Sequence, residues 1–171
     1  NGFANPLTSM RIQYKDYALW QRTYLTGTTL ADQLIYWKEK LLGYQSLELP
    51  TDYTRPSRID YSGAHQEFCL TRKVSSKLRE LARNSSVTLH SVMLSSMNIL
   101  LSKYTGQDDI VIGSLIANRH HRQTEGLIGF FVNTLANRTQ LSNTQSFENL
   151  ITQVHQQQVE AQLHQDLPFE K

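Results

Sequence analysis

Cysteine is almost missing from this sequence, with Cys69 the only one in 171 residues. A single thiol excludes an internal disulfide and a thiolate zinc cluster, so a reducing, cytoplasmic setting is the expectation. No apolar run approaches the roughly 20 residues that cross a bilayer. The start, NGFANPLTSM, also lacks the basic-then-apolar layout of a signal peptide, and no membrane partner is expected. Charge of one sign is lacking too: 17 Lys and Arg stand against 15 Asp and Glu, a net +2 with histidine neutral. The basic residues are scattered and leave no footprint for nucleic acid. Their one concentration, Arg119-His120-His121-Arg122, is read first as a solvated loop and second as a contact for a phosphate or an acidic partner. His65, His90 and His155 stand alone, without the spacing of metal ligands, so no metal is expected.

What is present is the composition of one globular domain, 39% hydrophobic and 19% charged, long enough to bury a core. Tyr14, Tyr17 and Trp20 recur at helical spacing within residues 11–25, and Leu30, Leu34, Trp37 and Leu41 repeat the pattern up to Gly43. LPTDYTRPSR, with two prolines and no period, reads as an extended surface connection. Residues 64–71 alternate, with Phe68 and Leu70 against Glu67, Cys69 and Thr71, which predicts a strand with one buried face. Val74, Leu78, Leu81 and Ala82 mark a short amphipathic helix. Residues 88–104 are apolar almost all round, which predicts a buried helix with Met93 and Met97 in the core. The β-branched run 109–116 predicts a strand covered on both faces, and residues 127–135 form a second such run. A last helix spans about 146–164, capped by Ser146, with Glu148 in its first turn. Helices and strands in mixed order argue for an α/β layered lobe.

Four stretches are more specific than any periodicity. Tyr14-Lys-Asp-Tyr-Ala-Leu-Trp-Gln-Arg22 resembles the YxDYAxWQR signature of nonribosomal peptide synthetase condensation domains. Tyr104 to Gly113 with Ala117-Asn-Arg119 resembles that family's YxGQxDIVxG and A-x-R, and Glu125 to Thr134 with Arg138 resembles its EGLIGFFVNT-xxx-R. His164-Gln-Asp-Leu-Pro-Phe-Glu170 resembles its HQDxPFE. All four keep the family's order across nearly the whole chain. The chain departs from the pattern at Leu115, where proline is common, and at Asn137, in a usually apolar position.

The resemblance implies an α/β fold, one lobe of a chloramphenicol acetyltransferase-like pair, with a mixed sheet flanked by helices. Residues 1–171 would be the C-terminal subdomain, without the half that carries the catalytic motif. It further implies amide formation between a donor acyl or peptidyl thioester and an acceptor aminoacyl thioester. Both would arrive on phosphopantetheine arms of carrier proteins, with no cofactor bound directly. The implied partners are the N-terminal half of the domain, the upstream and downstream carrier proteins and an adjacent adenylation domain. The alternatives are a lobe that only docks carrier proteins, or the matching lobe of a heterocyclization or epimerization domain.

The family's proton-handling histidine belongs to an HHxxxDG motif that would precede Tyr14 and is not found there. His120 and His121 begin a look-alike, HHRQTEG, in the wrong place in the order, and its Glu125-Gly126 already belongs to another signature; no catalytic residue is assigned to this chain. Trp20, Ser114 and Asn133 are the candidates for the substrate tunnel. For Trp20 the simpler reading is a core aromatic. Asparagine is depleted in strands, so the Asn133 amide is expected to bond either to neighbouring backbone or to a bound pantetheine or substrate amide. Ser114 and Arg119 are read either as lining an opening between lobes or as a strand-end serine and a surface arginine with no such role, and His164, Gln165 and Asp166 as satisfying free carbonyls at a helix end.

Overall fold

The computed structural model describes residues 10–119 and 121–171. Its elements run α1 (Tyr14–Tyr24), α2 (Gly27–Leu41), α3 (Arg72–Asn84), α4 (Leu89–Thr105), β1 (Asp109–Ile116), a short 3-10 turn (Arg122–Thr124), β2 (Asn133–Gln140) and α5 (Phe147–Leu163). By packing, the chain divides into two compact units. One comprises Asn1–Leu42, Gly113–Ala136 and Ala161–Lys171, the other Gly43–Ile112 and Asn137–Glu160.

The first unit holds α1 and α2. Asp16 accepts a hydrogen bond from the Gln13 amide at 2.8 Å, which closes the first turn of α1 and places a carboxylate where the helix dipole favours it. Tyr17 on this helix is buried with Leu127 and Phe131, and Ile12 and Tyr14 pack around them. Gly129 is needed for that packing, because a Cβ there would run into the Tyr14 ring.

The second unit is built on α3, α4 and most of α5. Thr88 caps α4 by accepting from the Ser91 amide at 3.0 Å, and Gly106, at φ 73°, ends it in the left-handed conformation. Ala82, Val92 and Ile151 form one core cluster, and Leu94, Leu150 and Val154 a second. The Ser146 hydroxyl caps α5 through the Asn149 amide, as the sequence predicts.

β1 and β2 form a two-stranded sheet. Leu141 donates to the Asp108 carbonyl and the Asn137 side-chain amide to the Ile112 carbonyl, so one strand's numbers fall as the other's rise and the pair is antiparallel. This is an α/β arrangement, as expected. Asn137 is buried, and its bond to Ile112 shows how a polar side chain is tolerated at that position.

Four expectations are corrected. Residues 64–71 form no strand: no sheet neighbour is present for them among the described residues, and Phe68 is 80% exposed. Alternation makes a segment fit to be a strand, but only a paired backbone makes it one. In the run 127–135 the ladder begins only at Asn133. Before that, Leu127 and Phe131 turn inward while Ile128 is 95% exposed and Phe130 faces out. The helix α4 is buried on one face only, the face with Ser91, Val92, Leu94, Ser95 and Asn98, and Met93 and Met97 are exposed at 42% and 44%. The serines make that face slim enough for close packing, and Ser95 returns its hydroxyl to the Ser91 carbonyl at 2.8 Å, so its burial leaves no donor unmet. β1 is not covered on both faces either, since Leu115 is exposed while Ile110 is buried.

Candidate functional site

Every described residue singled out as a candidate lies in the first unit. Three of the signature stretches are bonded to one another there. The Tyr14 hydroxyl donates to the Phe130 carbonyl at 2.8 Å, and its ring meets Phe131 edge-on with centroids 5.2 Å apart. This fastens YKDYALWQR to EGLIGFFVNT. Asn133, 9% exposed, then fastens EGLIGFFVNT to HQDLPFE. Its Nδ2 donates to the carbonyls of Gln165 at 2.9 Å and Leu167 at 2.8 Å, and its Oδ1 accepts from the amides of Phe169 at 3.1 Å and Thr134 at 2.9 Å. All four bonds of the amide go to backbone, which is how a polar group is buried without loss.

The HQDLPFE stretch is held from its other side by α2. Trp37 Nε1 donates to the His164 carbonyl at 2.9 Å, Gln33 Nε2 to the Leu163 carbonyl at 3.4 Å, and Tyr36 stacks on the His164 ring at 3.8 Å. The free carbonyls at the end of α5 are thus met by α2 side chains, where the sequence points to His164, Gln165 and Asp166 themselves. No sequence signal marks Gln33, Tyr36 and Trp37 for this task, because their partners are about 130 residues away in the chain.

Trp20 is not a core aromatic. It is 37% exposed, stacks on Tyr24 at 4.8 Å and meets the His121 ring edge-on at 4.8 Å. Ile12, Asp16, Tyr17, Trp20, His121 and Thr124 are among the side chains around a cleft of about 320 Å³. Burial pushes the Tyr17 hydroxyl above the usual tyrosine range, and the charge of Asp166 and, less, the neighbouring Tyr14 hydroxyl add to this, so it stays neutral there. His120 lies outside the described residues. Arg119 is occupied: its guanidinium donates to the carbonyls of Thr124 and Leu127 and lies 4.0 Å over the Phe131 ring. It braces the loop, where the sequence offers a phosphate contact as its second reading. Ser114 is half-buried on β1 and does not line the Trp20 cleft.

A further link joins two signatures in the second unit. Arg138 grips Asp109 with both ends of its fork, Nε to Oδ1 at 2.9 Å and Nη2 to Oδ2 at 2.6 Å. The hydrogen bonds from Arg138 hold the Asp109 carboxyl below the usual carboxylate range, with burial opposing and the arginine's charge and Gln140 assisting. A depressed carboxylate stabilises the fold above its unfolded pKa, about 3.9, and loses that contribution as pH falls through the folded value. Arg138→Ala is therefore expected to cost about 1–2 kcal/mol near neutral pH, with the gap to wild type closing below about pH 4 in urea titrations. An unchanged gap at pH 3 would show that the pair contributes nothing of this kind.

Among the described residues no group of three or more His, Cys, Asp or Glu side chains is placed to hold a metal ion, and no helix is long and apolar enough to cross a membrane.

The family profile described as "Condensation domain" matches residues 4–171. The chain belongs to the condensation-domain family. This condensation-domain chain is 47% identical over 172 residues to Malpibaldin synthetase of Mortierella alpina, covering 100% of this chain and 3% of that protein. It is 44% identical over 167 residues to Chondramide synthase cmdD of Chondromyces crocatus, covering 98% of this chain and 4% of that protein. Among solved structures it is similar to the X-domain from teicoplanin biosynthesis, with a TM-score of 0.90 and 27% identity over 99% of this chain and 39% of that one. The chain therefore spans a few per cent of the curated relatives it matches, as a piece resembling the C-terminal subdomain.

Proposed function

We propose that this chain is the C-terminal half of a condensation domain and that it helps to form an amide bond between two thioesters held on carrier proteins. The observation that carries the reading is the bonding among signatures: Tyr14 to Phe130, and Asn133 to Gln165, Leu167 and Phe169, make one structural block of three motifs. In the reaction, the acceptor's α-amine attacks the donor carbonyl, a C–N bond forms and the donor's C–S bond breaks. The amine proton passes to a base and from it to the departing sulfur, so the donor arm leaves as a thiol.

In this reading the base or positioning imidazole is the second histidine of an HHxxxDG motif on the N-terminal half, a group whose pKa suits proton handling near neutrality. The substrates come on phosphopantetheine arms, and the partners are the N-terminal half, the two neighbouring carrier proteins and an adenylation domain. Trp20 lines the path of an acceptor, Ser114 lies near the opening between lobes, and Asn133 acts at one remove by holding the HQDLPFE stretch in place.

The test is single-turnover dipeptide formation in the intact parent domain, with donor and acceptor loaded on their carriers. Amide product is expected, Trp20→Ala is expected to slow it, and His121→Ala is expected to leave it near normal. Loss of about a hundredfold in the His121 variant, the usual size of a missing acid or base, would make the look-alike motif the real one.

A further inference from the structure

In the first unit, residues 127–132 carry two sets of side chains, and the packing of the unit uses only one of them. Leu127 and Phe131 turn inward to Tyr17, and position 129 faces inward too, since a Cβ there would meet the Tyr14 ring. The alternate residues point away: Ile128 is 95% exposed, Phe130 75% and Val132 44%. Single exposed apolar residues need no explanation. Three in alternation make an apolar ridge, and such a patch marks a binding surface.

The backbone under the ridge is fixed in place. Arg119 donates to the Leu127 carbonyl at 2.9 Å, and Tyr14 donates to the Phe130 carbonyl at 2.8 Å. Just beyond Val132, Asn133 is tied to the HQDLPFE stretch. A segment braced in this way has already lost its freedom, so a partner that covers it does not have to order it.

The sequence around the ridge narrows the choice of occupant. From Gly126 to Thr134 there is no charged residue. Permanent interfaces are more apolar than transient ones, and a carrier protein binds and leaves in every cycle, so the composition favours a partner that stays. All three ridge residues also stand within EGLIGFFVNT, a stretch that resembles a family signature, whereas the exposed Leu19 falls at a variable position of YxDYAxWQR. The occupant is then a part that members of the family share. This chain spans 39% of the X-domain it is similar to, so most of a domain of that length lies outside these residues.

We propose that Ile128, Phe130 and Val132 anchor this chain to the N-terminal half of the parent condensation domain, which rests on the reading that such a half completes the domain. Hydroxyl-radical footprinting of the 171-residue chain and of the intact parent domain, both without carriers, tests this. Oxidation of the three ridge residues should be high in the chain and fall to the level of the buried Leu127 and Phe131 in the intact domain. Equal oxidation in the two would overturn the proposal. Protection that appears only when loaded carriers are added would make a carrier or its arm the occupant, and protection that rises with the concentration of the chain alone would make it a second copy; either result overturns it.

A variant gives the second readout. Ile128→Ala with Phe130→Ala should leave the urea midpoint of the 171-residue chain unmoved, because both side chains are exposed in it. The same change should raise the unfolding constant of the intact domain about tenfold or more, the scale of an interface anchor. An equal effect on both would mean that the ridge packs within the chain itself, and the docking surface would be refuted. Amide formation by the wild-type parent domain is measured alongside: a protected ridge without amide product would sink the catalytic reading and leave the docking surface standing.

Discussion

Asn133→Ala is expected to cost about 3–5 kcal/mol, a large fraction of the stability of a domain of this size. The alanine removes an amide that makes four bonds, and it leaves the carbonyls of Gln165 and Leu167 and the amide of Phe169 without their partner. An orphaned buried group costs about 1–3 kcal/mol, so two that stay dry are enough for the effect. Asn133→Asp is a sharper test than it first seems. The carboxylate still accepts from Thr134 and Phe169, but its other oxygen now faces two carbonyls, so it is expected to be no better than alanine. Urea denaturation of the intact domain checks both. A loss under about 1 kcal/mol in each would mean that the HQDLPFE stretch is held by α2 alone.

The same residue marks what can and cannot be read from sequence. That Asn133 must be hydrogen-bonded is legible, because an asparagine inside IGFFVNT has to be satisfied. Its partners are not, since Gln165, Leu167 and Phe169 are 32 to 36 residues on and no local pattern joins them. The five α-helices among the described residues are legible for the opposite reason: their apolar period is local, as is the Ser146 cap of the last. Strands fare worse wherever pairing decides the outcome. Residues 64–71 have the alternation and no neighbour, and residues 127–132 have the apolar content of a strand but wrap Leu127 and Phe131 around Tyr17. Periodicity misplaces Met93 and Met97 because the buried side of α4 is its serine side, which hydrophobicity alone ranks as the outer one. Trp20 is legible as a residue worth watching, though its contact with His121 comes from a loop whose path the sequence does not show.

The largest effect expected of this chain is a missing one. Given loaded donor and acceptor carriers, the 171 residues alone should form amide no faster than the carriers do without protein, whereas the intact parent domain should exceed that by at least about a hundredfold. Two physical terms are absent from the chain in the proposed reading. One is the imidazole that takes or positions the amine proton; the residues before Tyr14 contain no HHxxxDG, and His121 has its ring edge-on to Trp20. The other is orientation, because two tethered thioesters gain rate from being held within bonding distance only when walls on both sides exclude other poses. In that reading the chain supplies one such wall, with Trp20 and Tyr17 on its cleft. Mixing in the separately made N-terminal half, with its HHxxxDG intact, should restore part of the rate, and the same half with the second histidine changed to alanine should not. Ordinary enzymic turnover by the chain alone would place the proton-handling group among these 171 residues, and His121 would be the first to test.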